Sequence, residues 1–263
     1  MKKLPISVYF VTKNEEVRLP QALDATVGWA DEVLVVDSGS TDNTLKIAES
    51  YGVKVIHNDW KGFAAQKSFA EQLCKNDWVF GLDADEEISK ELQNELQDLF
   101  ANDKLPTESA FLINWKTIYP GQIKPTKFAP KNKIIRLYNK KFAQVIYKEF
   151  CNHDLPIVKE GKVGRLKESV YHRTILDFNH LEHKITQVTQ EQAMYNYKSG
   201  KKISSFKFYI DFPFKFLKYY FLKRMFLHGW YGFALSVTAA YRNFIRLAKT
   251  RELYILEQQK VEK

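Results

Sequence analysis

Asp83 and Asp85 stand one residue apart in Leu82-Asp83-Ala84-Asp85-Glu86, directly after an apolar run. Carboxylates so placed are hard oxygen donors, suited to Mg²⁺ or Mn²⁺. These ions take one or two protein carboxylates and complete their shell with water and substrate phosphates. Such an ion acts as a Lewis acid on a departing diphosphate. The plainer alternative is a polar turn with a helix-capping acid. In Val35-Val36-Asp37-Ser38-Gly39-Ser40-Thr41-Asp42, an acid again follows an apolar run. Asp37 can accept hydrogen bonds from a base imide or ribose hydroxyls, and Gly39 lets the backbone approach a ligand closely. A turn selected for capping explains the same residues. Thr12-Lys13-Asn14-Glu15 has the same double reading, since Glu15 also suits a helix N-terminus. His180-Leu181-Glu182-His183 offers two histidines at i, i+3 without a further ligand set, which fits surface or acceptor contact better than a metal. His172-Arg173 can face an acceptor, but nothing in the sequence fixes that.

The elements around these acids follow from hydrophobic patterning. Strands are predicted at 6–11, 32–36, 53–56 and 78–82, each rich in β-branched or aromatic residues. Helices are predicted from Glu15 to about Val27, from a Thr41 or Asp42 cap to Tyr51, from Phe63 to Leu73, and after a Ser89 cap. This alternation predicts an α/β fold with a mostly parallel sheet and helices on both faces. Ligands bind beyond the carboxyl ends of such strands, where all three acidic motifs fall. Two more strands, 111–115 and 133–138, flank a Pro/Lys-rich loop. The pattern turns helical after about residue 175.

Together the three motifs resemble family 2 glycosyltransferases of the GT-A fold. The resemblance is closest to the lipopolysaccharide-core β-1,4-glucosyltransferases that act on inner-core heptose. Asp59-Trp60-Lys61-Gly62-Phe63-Ala64-Ala65-Gln66-Lys67 is similar to that subgroup's segment before the metal motif, and the likeness extends through Lys223-Arg224-Met225-Phe226-Leu227-His228-Gly229-Trp230-Tyr231-Gly232. The resemblance implies a nucleotide-sugar site that includes Thr12, Asn14, Glu15, Asp37 and Gly39, with Thr12, Glu15 and Asp37 holding uridine. Lys67 would reach the nucleotide or diphosphate, Asp83 the ribose or a metal-bound water, and Asp85 the Mg²⁺ or Mn²⁺. For Lys67 the alternative is a solvated helix lysine. Arg136 would steady the diphosphate or a phosphate-rich acceptor. Similar subgroup members carry a His-Glu pair after the Arg-Leu strand. Here that place reads Tyr147-Lys148-Glu149, leaving Glu149 as the candidate base. A neighbouring lysine favours its ionised form.

Charge is distributed unevenly. The chain of 263 residues carries +9, and residues 201–250 carry all of the excess: ten bases against one acid, Asp211. Large rings interleave with these bases at Phe206, Phe208, Phe212, Phe216 and Tyr220. Single-stranded nucleic acid would suit such a mixture, but no nucleic-acid motif accompanies it and the acidic clusters oppose it. An anionic membrane surface fits better; a packed helix with a basic outer face is the plain alternative. No apolar stretch reaches the roughly 18 residues of a spanning helix. The N-terminal apolar run ends at Lys13 without a cleavage signal, so export is not expected. Two scattered cysteines, Cys74 and Cys151, make neither a disulfide framework nor a zinc site.

The expected organisation is a nucleotide-sugar-binding half over 1–105, an acceptor and catalytic part over 106–174, and a basic aromatic helical extension over 175–263 for membrane docking. By the resemblance, the expected activity is inverting transfer of a hexose, glucose from UDP-glucose, to an inner-core heptose at the inner face of the cytoplasmic membrane. Another lipid-linked acceptor such as polyprenyl phosphate, a nucleotidyltransferase, and a non-catalytic nucleotide-sugar-binding protein are the alternatives.

Overall fold

The computed structural model describes residues 3–101, 105–147 and 154–261. They form two compact units: one of residues 1–125 and 131–174, the other of 126–130 and 175–263.

The first unit is built on an eight-stranded sheet. Its strands are β1 (Leu4–Thr12), β2 (Ala30–Asp37), β3 (Lys54–His57), β4 (Trp78–Asp83), β5 (Glu86–Ile88), β6 (Ala110–Thr117), β7 (Lys131–Asn139) and β10 (Val163–His172). The spatial order is β3-β2-β1-β4-β7-β6-β10-β5. β3, β2, β1 and β4 run parallel, as the alternation of strands and helices predicts. β7 runs antiparallel to β4 and β6, β10 parallel to β6, and β5 antiparallel to β10. A separate pair, β8 (Ala143–Gln144) and β9 (Ile157–Val158), is antiparallel.

Successive residues of a strand point to opposite faces, and β1 divides its side chains accordingly. Ile6, Val8 and Phe10 join a core that includes Leu19, Leu23, Ala48, Leu92 and Leu96 from helices α1 (Leu19–Asp24), α2 (Thr44–Ser50) and α4 (Lys90–Leu99). Tyr9 and Val11 join a second core with Ala64 and Ala70 of α3 (Phe63–Leu73). Helices thus cover both faces.

α1 is shorter than the expected Glu15–Val27. Residues 15–18 form a turn in which the Glu15 carbonyl accepts from both the Arg18 and Leu19 amides, and Pro20 sits in the first turn, where its missing N–H costs nothing. Asn43, rather than Thr41 or Asp42, takes the N-cap position of α2, while Asp42 accepts from the Thr44 amide at 3.0 Å. Ser89 caps α4 as expected, accepting from the Leu92 amide at 3.1 Å.

The second unit is helical: α5 (Phe178–Lys198), α6 (Ser205–Leu217) and α7 (Gly229–Val261). A π turn over Lys218–Leu222 and a 3₁₀ turn over Met225–His228 join α6 to α7. Among the described residues, no helix is long and apolar enough to cross a membrane.

Candidate active site

The three acidic motifs meet because of strand register. Thr12, the last residue of β1, pairs with Asp37, the last of β2, while Val11 pairs with Asp83, the last of β4. Side-chain chemistry then stitches the first two motifs together. The amides of Asn14, Glu15 and Glu16 donate in turn to Ser40 Oγ (2.8 Å), Thr44 Oγ1 (2.7 Å) and Asp42 Oδ2 (3.1 Å). Asn14 Oδ1 accepts back from the Thr41 amide at 2.8 Å. Asn14 does this from a left-handed backbone, φ 55°, which asparagine tolerates better than most residues.

Asp37 is 1% exposed. Its Oδ1 accepts from Thr12 Oγ1 (3.1 Å) and Ser40 Oγ (2.5 Å), its Oδ2 from the amides of Gly39 and Ser40 (both 2.8 Å). The carboxylate therefore shapes the loop from within, and Gly39, at φ 87°, makes the tight reversal possible.

The third motif sits in a buried ionic cluster. Lys67, on α3, is 1% exposed, not the solvated lysine of the plainer reading. Its Nζ lies 2.9 Å from Asp83 Oδ1 and 2.6 Å from Asp154 Oδ2. Arg136, on β7, contacts Asp83 Oδ2 at 3.0 Å and Glu86 Oε1 at 2.5 Å. Burial pushes the Asp83 carboxyl upward, but Lys67 and Arg136 outweigh it and hold the group below the usual carboxylate range. Glu86 goes the other way, because burial prevails over the attraction of Arg136. Burial works against the charge on Arg136, yet Glu86 and Asp83 together hold its guanidinium above its ordinary pKa.

Asp85 lies in the turn between β4 and β5, outside this cluster of lysine and arginine pairs. Its Oδ2 is 3.1 Å from His172 Nε2 and 3.5 Å from Arg18 Nη1. Arg18 is itself gripped by Glu15 through two bonds, at 2.6 and 2.7 Å, and donates to the Arg173 carbonyl at 3.1 Å. His172, the last residue of β10, stacks on Trp115 of β6 with ring centroids 4.0 Å apart. The Trp115 indole N–H donates to Glu86 Oε1 at 2.6 Å.

Asp85 and His172, hydrogen-bonded to each other here, are two donors that a divalent cation could take up. Ligands in adjacent octahedral positions, each about 2.1 Å from Mg²⁺, stand about 3 Å apart, which matches the separation of Asp85 Oδ2 and His172 Nε2. Asp83 is committed to two cationic side chains. No group of three or more His, Cys, Asp or Glu side chains forms a closed metal site among the described residues, so the remaining positions would fall to water and substrate oxygens.

Of the residues singled out from sequence, Thr12, Asn14, Glu15, Asp37, Gly39, Lys67, Asp83, Asp85 and Arg136 all lie at or next to these strand ends. Glu149 and its neighbour Lys148 lie outside the described residues. His180 belongs to the second unit, where its Nδ1 accepts from the Leu176 amide at 3.4 Å. Arg18, Glu86, Trp115 and Asp154 carried no assigned role in the sequence, and His172 carried only a loose one. For Arg18 a signal existed, the i, i+3 spacing from Glu15. Pairing of His172 with Asp85 depends on strand order and leaves no local trace.

The family model for glycosyl transferase family 2 matches residues 7–145. An uncharacterized glycosyltransferase of Rickettsia typhi is 42% identical over 264 residues, covering 96% of this chain and 88% of the relative. The lipopolysaccharide core biosynthesis glycosyltransferase LpsC of Rhizobium meliloti is 28% identical, covering 97% of this chain and 95% of LpsC. Among solved structures, residues 1–349 of S. aureus TarS align over 97% of this chain and 91% of that one, at 16% identity and a TM-score of 0.47. The family match over more than half of the chain and the 42% identity over nearly its whole length define the class: the chain belongs to glycosyl transferase family 2. It is a glycosyltransferase with the mixed α/β, GT-A-type sheet expected from its sequence.

Proposed function

We propose that the enzyme transfers a hexose, glucose from UDP-glucose, onto an inner-core heptose of lipopolysaccharide with inversion at the anomeric carbon. The observation that carries the reading is the Asp85–His172 pair beside the joined Thr12 and Asp37 motifs. Full-length similarity to LpsC supports the class of acceptor. In this reading Thr12, Asn14, Glu15, Asp37 and Gly39 form the nucleoside half of the site. Lys67 and Arg136 place positive charge beside the diphosphate, while Asp83 is held ionised between them.

Asp85 and His172 would hold Mg²⁺ or Mn²⁺. The ion, when bound, supplies Lewis-acid stabilisation of the leaving UDP. The acceptor hydroxyl oxygen forms the new bond to the anomeric carbon as the bond from that carbon to the diphosphate oxygen breaks. Glu149 takes the hydroxyl proton; a base so used is worth about 10²–10⁴ in rate.

The excess charge of residues 201–250 suits docking at the anionic inner face of the cytoplasmic membrane, where a lipid-linked acceptor is found. The test is a panel of nucleotide sugars with Mg²⁺, assayed for UDP release with and without a lipid-A-core acceptor. UDP-glucose turnover that depends on the acceptor is expected. Donor binding without turnover would favour a non-catalytic binding protein, and pyrophosphate release from a nucleoside triphosphate would favour a nucleotidyltransferase.

A further inference from the structure

The second unit leaves a cluster of large apolar side chains uncovered where α6 turns into α7. Phe221, Leu222, Phe226, Leu227, Trp230 and Phe233 are all exposed, Leu222 at 76% and Trp230 at 71%. Phe221, Phe226 and Phe233 group around a single ring. Tyr220 packs against Phe221, Phe226 and Phe233 with ring centroids 5.1, 6.2 and 5.7 Å apart, and Phe221 lies 6.3 Å from Phe226. Soluble chains rarely expose contiguous apolar surface of this kind unless something covers it.

The backbone of this turn is specified in detail. The π turn closes with the Lys223 amide donating to the Lys218 carbonyl at 3.0 Å. Arg224 then adopts a left-handed conformation, φ 56°, which reverses the chain. Gly232 lets the first turn of α7 pass against the Met225 carbonyl; a Cβ at that position would lie 1.8 Å from the carbonyl oxygen. These features fix a short knuckle that holds its rings outward.

Charge identifies what covers it. Lys223 and Arg224 are exposed within the knuckle, with Lys215 and Lys218 half-buried before it. The one acid of residues 201–250, Asp211, is buried on α6. The outer surface of this stretch therefore carries bases without acids. A second copy would set like charges against each other. An anionic bilayer supplies both requirements, negative headgroups for the bases and an apolar interior for the rings. Trp230, exposed and in ring contact with Phe178 and Tyr231, has the amphipathic ring that suits the headgroup boundary.

We propose that the α6–α7 knuckle is a membrane-inserting wedge, with Phe221, Leu222, Phe226, Leu227 and Trp230 entering the interface while Lys223 and Arg224 stay among anionic headgroups. This deepens, and rests on, the membrane-surface reading of the basic block, because it adds apolar penetration to electrostatic attraction.

The test uses the full chain with vesicles of phosphatidylcholine, alone or with phosphatidylglycerol, and with brominated acyl chains as a depth-sensitive quencher. Brominated anionic vesicles should quench part of the tryptophan emission, and the Trp230→Phe variant should lose that part while its four other tryptophans continue to emit. A Leu222→Asp/Phe226→Asp variant, altered only at exposed positions, should partition roughly tenfold or more weakly. Its far-UV circular dichroism and its urea unfolding midpoint should be unchanged. Anionic-vesicle binding without bromine quenching would overturn insertion and leave only surface electrostatics. Quenching that survives Trp230→Phe would overturn the assignment to the knuckle. Self-association in sedimentation velocity that the double aspartate variant abolishes, with no vesicle binding, would make a second copy the occupant. None of these readouts depends on turnover, so failure of the wedge and failure of the lipopolysaccharide assignment are separable.

Discussion

His172 Nε2 lies 3.1 Å from Asp85 Oδ2, although 87 residues separate them in sequence. The two ends meet because β5 lies antiparallel to β10, which pairs His172 with Glu86 directly. If this pair holds the divalent ion, each partner should be needed for ion-dependent donor binding and neither for folding. Asp85→Asn and His172→Ala are each expected to weaken Mn²⁺-dependent UDP binding by roughly tenfold or more. Isothermal titration with and without EDTA measures this. Undiminished Mn²⁺-dependent binding in both variants would remove the ion from this site.

Trp115 connects this pair to the buried cluster. Its ring stacks on His172, and its N–H donates to Glu86, which also engages Arg136. Trp115 is therefore a positioning residue. Trp115→Phe keeps a stacking ring and loses the hydrogen bond; Trp115→Leu loses both. Mn²⁺ affinity in the presence of UDP should fall in the order wild type, Phe, Leu, with about tenfold between the extremes. Manganese electron paramagnetic resonance reads that affinity without turnover. Equal affinities in folded variants would show that the stack does not orient His172.

The buried lysine invites a stability comparison. Lys67 is buried and pairs with Asp83, whose side chain is 24% exposed and also held by Arg136, and with Asp154, whose side chain is 34% exposed. Removing one partner of a buried pair leaves an under-compensated charge, so Lys67→Met should cost roughly 3 kcal/mol. Asp154→Asn leaves Lys67 paired to Asp83, and water can reach the site, so its cost should stay below about 1 kcal/mol. Urea unfolding of both variants provides the check; equal costs would mean that Asp154, not Asp83, is the principal partner of Lys67.

The parallel half of the sheet was legible from sequence because β1, β2 and β4 are nearly continuous apolar runs, each ending in a polar or acidic residue that marks the site. β10 was not, since Gly164, Arg165, Lys167 and Glu168 break its apolar pattern and much of its outer face is exposed. β5 was hidden as well: Glu86-Glu87-Ile88 reads as a polar loop, and its antiparallel pairing with β10, which buries Glu86 against Arg136 and Trp115, is non-local. The identity of the acidic residues was therefore readable, while their partners, set by non-local pairing, were not. For Asp37 the two competing readings merge, because the carboxylate that marks the site is also the one that folds its loop.

Asp42 offers a test of that loop through pH. Its Oδ1 accepts from the Thr44 amide at 3.0 Å, and its Oδ2 from the Glu16 amide at 3.1 Å, tying the start of α2 to the first motif. Partial burial raises its pKa, but the Thr44 hydroxyl and the amides of Thr44 and Glu16 favour the carboxylate, and the net shift is below the ordinary 3.8. A folded-state pKa below the unfolded one means that the unfolded chain binds the proton more readily. The associated stability is present above the unfolded value and is lost as pH falls through the folded one. Wild-type stability should therefore decline below about pH 4, with Asp42 contributing to the slope. Asp42→Asn keeps the shape but not the charge. It should lose about 1 kcal/mol at neutral pH and show a shallower acid limb, so that the two proteins converge as the pH drops. Urea unfolding at pH 7, 5, 4 and 3 follows the difference. A difference that stays constant across this range would mean that the Asp42 carboxylate has no favoured ionised state in the fold and that the loop is held by its hydroxyl and amide contacts alone.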